Sequence, residues 1–270
     1  MILEYSYTMK QNYGRTVANH HFSIRCIPPT TERQRIISTQ LTVAPECRLS
    51  YKADVFGNKS AYGCIKNEHN SFTVCLTGTV ETGLSCCENK ETAKSFFCDI
   101  FRIQSAFTQP GAELRRLYAM HEGHLKQLDS YSAALYLMRT VYHTMSYTPG
   151  ATNVSTNAEQ AMLKRCGVCQ DYAHILISLC RMCNIPARYV VGMMIGEGAS
   201  HAWVEVCCCG FWYGLDPTNN LLVDENYIKL SYGRDYADTI VLKGMFCGFT
   251  SQTQDISVIV TPINKEGTVK

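Results

Sequence analysis

Apolar residues change their spacing partway along this chain, and that change decides the fold class. From Leu3 to about Gly83 they recur at every second position, as in Leu3, Tyr5, Tyr7 and Met9, in His20, Phe22, Ile24 and Cys26, in Ile37, Thr39, Leu41 and Val43, and in Phe72, Val74 and Leu76. A period of two lines one face of a strand, and Pro28-Pro29, Phe56-Gly57-Asn58 and Gly78 supply turn or bulge chemistry between the runs. After the region from Cys86 to Lys90 the spacing becomes helical. Pro110 precedes the segment Glu113 to Met120, suiting a first helical turn. Asp129 to Thr144 carries Leu135, Met138, Arg139 and Tyr142 three and four apart, and Pro149-Gly150 closes it. Thr156 stands three residues before Glu159, the spacing of a capping box, and opens a helix ending near Arg165.

A further helix is expected over Cys169 to Cys183, where Tyr172, Leu176, Leu179, Cys180 and Cys183 form a stripe that buries one face. Asn184-Ile185-Pro186 ends it, because proline disfavours the helical conformation of the residue before it. Ala187 to Val191, Ser200 to Val206 and Phe211 to Leu215 read as strands, the last two joined by a hairpin loop at Cys207 to Gly210. Strand character resumes at Ile240 to Leu242 and Ile256 to Thr261. The class is α+β: a β-rich unit over 1–90, then a second domain over 91–270, the boundary falling between about 85 and 110.

With 270 residues, 46% of them hydrophobic and 18% charged, the chain can bury a core and is not a disordered one. Lys and Arg number 25 against 23 Asp and Glu, a net charge of +2, which gives no global field for nucleic acid or a membrane surface. There is no run of 18 apolar residues, and the opening Met1-Ile2-Leu3-Glu4-Tyr5 lacks the basic, apolar and small-residue succession of a signal peptide, so a cytoplasmic protein is expected. The 15 cysteines are odd in number and irregular in spacing, with Cys86-Cys87 and Cys207-Cys208-Cys209 adjacent. They fit no disulfide framework and are expected to be mostly reduced and buried as small apolar groups. A cysteine with chemistry must be found from its neighbours.

One such cysteine stands out. Gly167-Val168-Cys169 opens the fourth helix, Ser200-His201-Ala202-Trp203 lies on a strand, and Leu215-Asp216-Pro217 ends the next. A helix N-terminus and an imidazolium partner both favour a thiolate over a thiol of ordinary pKa about 8.5. His201 would pair with that thiolate and carry a proton to a leaving amine, and Asp216 would set the ring's tautomer and favour its charged form. The 15-residue separation of His201 and Asp216 matches two antiparallel strands and a loop, which would bring them opposite each other.

The segments GVCQDYAHILISL, CNIPARYVVG, SHAWVEV and GLDPTNN, in that order over Cys166 to Asn220, resemble the bacterial transglutaminase-like family. His21 to Arg25, Pro28, Gln34-Arg35 and Asp54 to Asn58 are similar to the β-rich region that precedes the catalytic domain in many such proteins. The resemblance implies a papain-like core with a central helix packed on an antiparallel sheet, and the roles of nucleophile, base and orienting acid for Cys169, His201 and Asp216. It implies thiolate attack on a peptide or glutamine carboxamide carbonyl and a thioester intermediate, with a protein or peptide as substrate. Water as acceptor makes the enzyme a cysteine peptidase or amidase, the expectation taken here; a primary amine makes it a transglutaminase. A binding module that keeps the fold without turnover is the contrasting class, and the complete set of three residues favours the enzyme.

No metal or other cofactor is expected. Cys166, Cys169, Cys180 and Cys183 have the two-pair arithmetic of a zinc site, but Cys169 and Cys183 on one helix would be about 21 Å apart against zinc–sulfur bonds of about 2.3 Å. A reversible Cys166–Cys169 disulfide is a second alternative. No acidic loop with calcium-ligand spacing is present. His174 is expected to be packed or solvent-facing, Asp171 to be a first-turn acid, Trp203 and Trp212 to be core or cleft walls, Gln170 to line the cleft, and Asn219 and Asn220 to make a turn. Tyr131, Tyr136, Tyr142 and Tyr147 are equal by type as a side-chain partner to the Cys169 N–H in holding an oxyanion.

Overall fold

The computed structural model describes residues 1–84, 90–93 and 98–263; Cys86 and Cys87 lie outside them. Its longest element is strand β1 (Ile2–Ile24), which joins the two alternating runs near the start of the chain into one strand. Leu3, Tyr5, Tyr7, Met9, Tyr13 and Val17 point inward at odd positions and His20, Phe22 and Ile24 at even ones. The phase changes at Asn19, which has a φ of 49° and lies within a break of register, the mark of a bulge that adds a residue and bends the strand. The strand then continues on new neighbours.

The elements that follow are β2 (Gln34–Ala44), β3 (Ser50–Ala53), β4 (Lys59–Ile65), β5 (His69–Thr82) and β6 (Lys90–Thr92). Next come α1 (Ala112–Leu125), α2 (Ser130–Thr144), β7 (Ser146–Tyr147), α3 (Ala158–Lys164), β8 (Cys166–Gly167) and α4 (Cys169–Met182). The chain goes on through β9 (Ala187–Met194), β10 (Gly196–Gly198), β11 (His201–Cys208), β12 (Phe211–Asp216), β13 (Leu221–Leu222) and β14 (Tyr227–Gly233). It ends, among the described residues, in α5 (Tyr236–Thr239), β15 (Leu242–Cys247) and β16 (Gln252–Ile263).

Two sheets carry the architecture. The first half of β1 pairs with β5 and β16, with β2 outside β5 and β10 outside β16; the second half pairs with β4 and β15, with β3 outside β4. The second sheet runs β13-β12-β11-β9-β14, with β6 also on β12, and is antiparallel throughout. α4 packs on β9 and β11 and is flanked by α1, α2 and α3. This is the α+β class with a β-rich beginning and a central helix on an antiparallel sheet. The range 91–270 is not continuous in space, however: β15 and β16 return to flank β1 and complete the first sheet. Alternation in the tail marked strands, but pairing partners more than 200 residues away leave no local trace.

Two helices bury other surfaces than their patterns suggested. α4 is buried on every side from Asp171 to Arg181 rather than along one stripe, as a helix enclosed between a sheet and three other helices must be. Arg181 is tolerated there because it donates to the Phe101, Ala187 and Arg234 carbonyls and to Thr108 Oγ1. In α2 the buried face is Ala133, Ala134, Leu137, Met138 and Val141, whereas Tyr142 is exposed. The expected capping box is also displaced by one residue. Asn157 accepts from the Gln160 N–H and Gln160 returns a bond to the Asn157 N–H. Glu159 is thereby released to accept from the Gly111, Glu113 and Leu114 N–H groups and caps α1 from another helix.

The two sheets share one apolar core, and polar side chains also join them. Gln34 exchanges bonds with Lys229 of β14 in both directions, and Asn58 does the same with Tyr232. Behind the second sheet Glu205 binds Arg188 and Lys229, and Lys229 also binds Glu91 at 2.7 Å, all four side chains being buried. Glu205→Ala is expected to destabilise the fold by about 3–5 kcal/mol, since two buried cations would share one remaining carboxylate. A urea midpoint that does not move, at unchanged slope, would show that this cluster carries no such stability.

Candidate active site

Cys169 begins α4 and is half-buried. The turn before it is set by Asp171, whose Oδ2 accepts from the Val168 N–H at 2.8 Å and from Thr152 Oγ1 at 2.6 Å. Only glycine fits at 167, because a Cβ there would lie 2.3 Å from Asp171 Oδ2. Burial pushes the Asp171 carboxyl up, against those hydrogen bonds. It is the first-turn acid of the helix and caps it, which aims the free N–H groups of the first turn toward the thiol's surroundings.

His201 stands at the start of β11 and Asp216 at the end of β12. Their expected direct opposition is replaced by a diagonal one. Cys208 pairs with Phe211, so the hairpin loop is the two residues Cys209-Gly210, both with positive φ (50° and 79°), instead of the four expected. Such a turn matches the twist of the flanking strands. Shortening the loop by two slides the register by two, which preserves the face, and His201 Nε2 reaches Asp216 Oδ2 at 2.7 Å. The ring lines one cleft with Cys169, whose side chain also favours its charged form. The three residues named from the sequence thus come together in the order thiol, imidazole, carboxylate.

The electrostatics follow from this order. Burial opposes a charged His201 ring, but hydrogen bonding to Asp216 and Cys169 and their negative charges outweigh it, and its pKa is raised to about 10. Asp216 is fully buried, which alone would raise its pKa; bonds from His201, Asn219 and Tyr227 lower it instead. Its Oδ2 accepts from Asn219 Nδ2 at 2.8 Å and Tyr227 Oη at 2.9 Å, and its Oδ1 from the Thr218 and Asn219 N–H groups. Asn219, expected only to turn the chain, also holds Asp216. Nothing in the sequence singles out Tyr227, the first residue of β14, because eleven residues and a change of strand separate it from Asp216. Such an arrangement can hold a thiolate–imidazolium pair and pass a proton through His201.

The remaining candidates find structural places. His174 is packed, not solvent-facing: its ring stacks on Phe107, its Nε2 accepts from the Tyr236 N–H, and burial together with the Arg181 charge lowers its pKa to about 3. Trp203 is core, edge-on to Tyr227, and Trp212 packs with Cys98 and Phe101 and lies on the Arg188 guanidinium. Gln170 lines the cleft and donates to the Val154 carbonyl. Among the four tyrosines, Tyr131 packs at a tilt on Tyr213, Tyr136 binds His121, and Tyr142 packs edge-on to His143. Tyr147 senses the Cys169 charge: β7 pairs with β8 just before Cys169, and burial and that charge both raise the Tyr147 pKa.

Cys166 and Cys169 are both free thiols. Among the described residues no three His, Cys, Asp or Glu side chains gather as metal ligands. No helix among them is long and apolar enough to cross a membrane. The cleft at Cys169 and His201 has a volume of about 220 Å³. A larger cavity of about 590 Å³, lined by residues that include Arg188, Trp212 and Tyr232, has neither cysteine nor histidine among its described lining residues.

The family model described as the transglutaminase-like superfamily core matches residues 120–217, and that of the bacterial transglutaminase-like N-terminal region matches residues 3–81. The uncharacterized protein ML0607 of Mycobacterium leprae is 29% identical over 255 residues, covering 88% of this chain and 90% of its own length. The uncharacterized protein Rv2569c of Mycobacterium tuberculosis is 29% identical over 289 residues, covering 96% and 89%. The crystal structure of a "putative cysteine protease" from Cytophaga hutchinsonii superposes with a TM-score of 0.78 at 23% identity, over 100% of this chain and 93% of that one. The last comparison bears on the fold.

Proposed function

From the membership of this chain in the bacterial transglutaminase-like family, we propose that it is a thiol-dependent acyl-transfer enzyme that hydrolyses peptide or carboxamide bonds through Cys169, His201 and Asp216. The observation that carries the proposal is the 2.7 Å hydrogen bond between Asp216 and a His201 ring that shares one cleft with Cys169 and is held charged up to about pH 10. A charged ring is the form that stabilises a thiolate and has a proton to give.

The thiolate attacks the substrate carbonyl carbon, and the carbonyl π electrons move to oxygen, which faces the N–H groups at the start of α4. On collapse the C–N bond breaks, the amine leaves with the proton of His201, and a thioester remains on Cys169. The now neutral His201 accepts a proton from water, whose oxygen attacks the thioester. The C–S bond breaks, the carboxylic acid is released, and thiolate and imidazolium are restored. Asp216, fixed by its five donors, orients the ring throughout and stabilises its positive charge.

Hydrolysis is preferred over transfer because water, at about 55 M, needs no binding site of its own, while an amine acceptor does. Incubating a glutamine-containing peptide library with the protein and a lysine-like amine, followed by mass spectrometry, distinguishes the two. Shortened or deamidated peptides are expected. Predominant amine adducts would make the protein a transglutaminase. In parallel, iodoacetamide at mildly acidic pH should alkylate Cys169 well ahead of the other cysteines; uniform slow labelling would mark the fold as a binding module.

A further inference from the structure

One wall of the cleft comes from outside the thiol-bearing core. Met9 of β1 and Ile256 of β16 are direct partners across the first sheet. With Tyr7, Val191, Ile240 and Leu242 they line the cavity that contains Cys169 and His201. Met9, Tyr7 and Val191 are buried. No Asp, Glu, Lys or Arg stands among the described residues that line this cavity. A charged group entering it would shed its water without gaining a fixed partner beyond the thiolate–imidazolium pair itself, whereas an apolar one would exchange water for apolar surface. The volume, about 220 Å³, is below the roughly 300–1,000 Å³ of sites for drug-sized ligands and suits a single side chain.

We infer that this cavity is the subsite for one apolar side chain of Leu, Met or Phe size adjoining the scissile bond, and that the β-rich region, through Met9 and Ile256, sets the substrate preference. The inference rests on the thiol acyl-transfer reading given above. It makes the first sheet part of the substrate site, because neither Met9 nor Ile256 is within the stretch that carries Cys169, His201 and Asp216.

A mixed peptide library incubated with the whole protein, with the sites of turnover read by mass spectrometry and aligned on both sides of the reacting bond, tests it. Leu, Met and Phe are expected to be enriched about tenfold or more over Asp, Glu, Lys and Arg at one adjoining position, the discrimination that an apolar pocket achieves. In Ile256→Asp the ratio of Lys and Arg to Leu at that position should rise about tenfold, and in Ile256→Val it should stay as in the parent. Because each ratio is taken within one sample, partial loss of folded protein does not change it. Turnover without apolar enrichment, or an unchanged ratio in Ile256→Asp, overturns the subsite and leaves the triad reading standing. Absence of turnover on every peptide overturns the subsite as well, and selective alkylation of Cys169 then tells whether the activated-thiol reading survives.

Discussion

Cys169→Ala is expected to lower kcat/KM for amide turnover on the order of 10⁴-fold or more while the protein keeps its fold. In the proposed mechanism the thiol is the attacking group, and without it the site would retain only binding and N–H groups for the oxyanion. Its contribution to packing is small: the side chain is half-buried at the first position of α4, and alanine is a good helix former. Thermal unfolding should therefore move by only a few degrees. His201→Ala should be nearly as damaging, since no other imidazole reaches the thiol. Turnover within tenfold of the parent in Cys169→Ala would remove that residue from the mechanism and with it the family's chemistry from this chain.

Asp216→Asn should cost activity about 10²–10⁴-fold, less than loss of the thiol, and should change the pH profile in a direction the geometry specifies. His201 is held at about 10 against burial by Asp216 and Cys169. Its deprotonation forms the alkaline limb of the profile, so replacing the carboxylate by a neutral amide should bring that limb down toward neutral pH. Stability should follow the same group. A histidine whose folded pKa is raised above its unfolded value of about 6.5 contributes stability that is fully present below about pH 6.5 and is lost as pH rises through about 10. In Asp216→Asn this loss should shrink and shift to lower pH. If urea unfolding between pH 6 and 10 showed the same pH dependence in both proteins, the ring would have to be charged by something other than Asp216.

The three residues of the site were legible in the sequence because each is tied to a local pattern. Cys169 is at a helix start, His201 and Asp216 are on the arms of one hairpin, and a register error of an even number leaves them on one face. What was not legible depends on distance along the chain. Tyr227 meets Asp216 only after another strand has been laid down, and Glu159 caps α1 by accepting from an N–H group, that of Glu113, 46 residues earlier. The all-round burial of α4 is likewise a property of its neighbours, as the helix pattern records one apolar stripe and cannot record that Arg181 finds four carbonyl and hydroxyl oxygens inside the core. The return of β15 and β16 to β1 belongs to the same group: alternation identifies a strand, and its partner is chosen by the whole fold.

That return has a consequence for how the protein matures. Gln11 and Gln252, neighbours in the first sheet, are 241 residues apart in the chain, which at about 5–20 residues per second separates their synthesis by on the order of ten to fifty seconds. Cys169 is therefore made well before Ile256, and the cleft wall closes only when the late strands have docked on the earliest one. Pairings of such sequence separation are the slow steps of folding. A nascent chain thus carries its thiol in an incomplete site, and the timing of translation postpones competence until nearly every described element is in place.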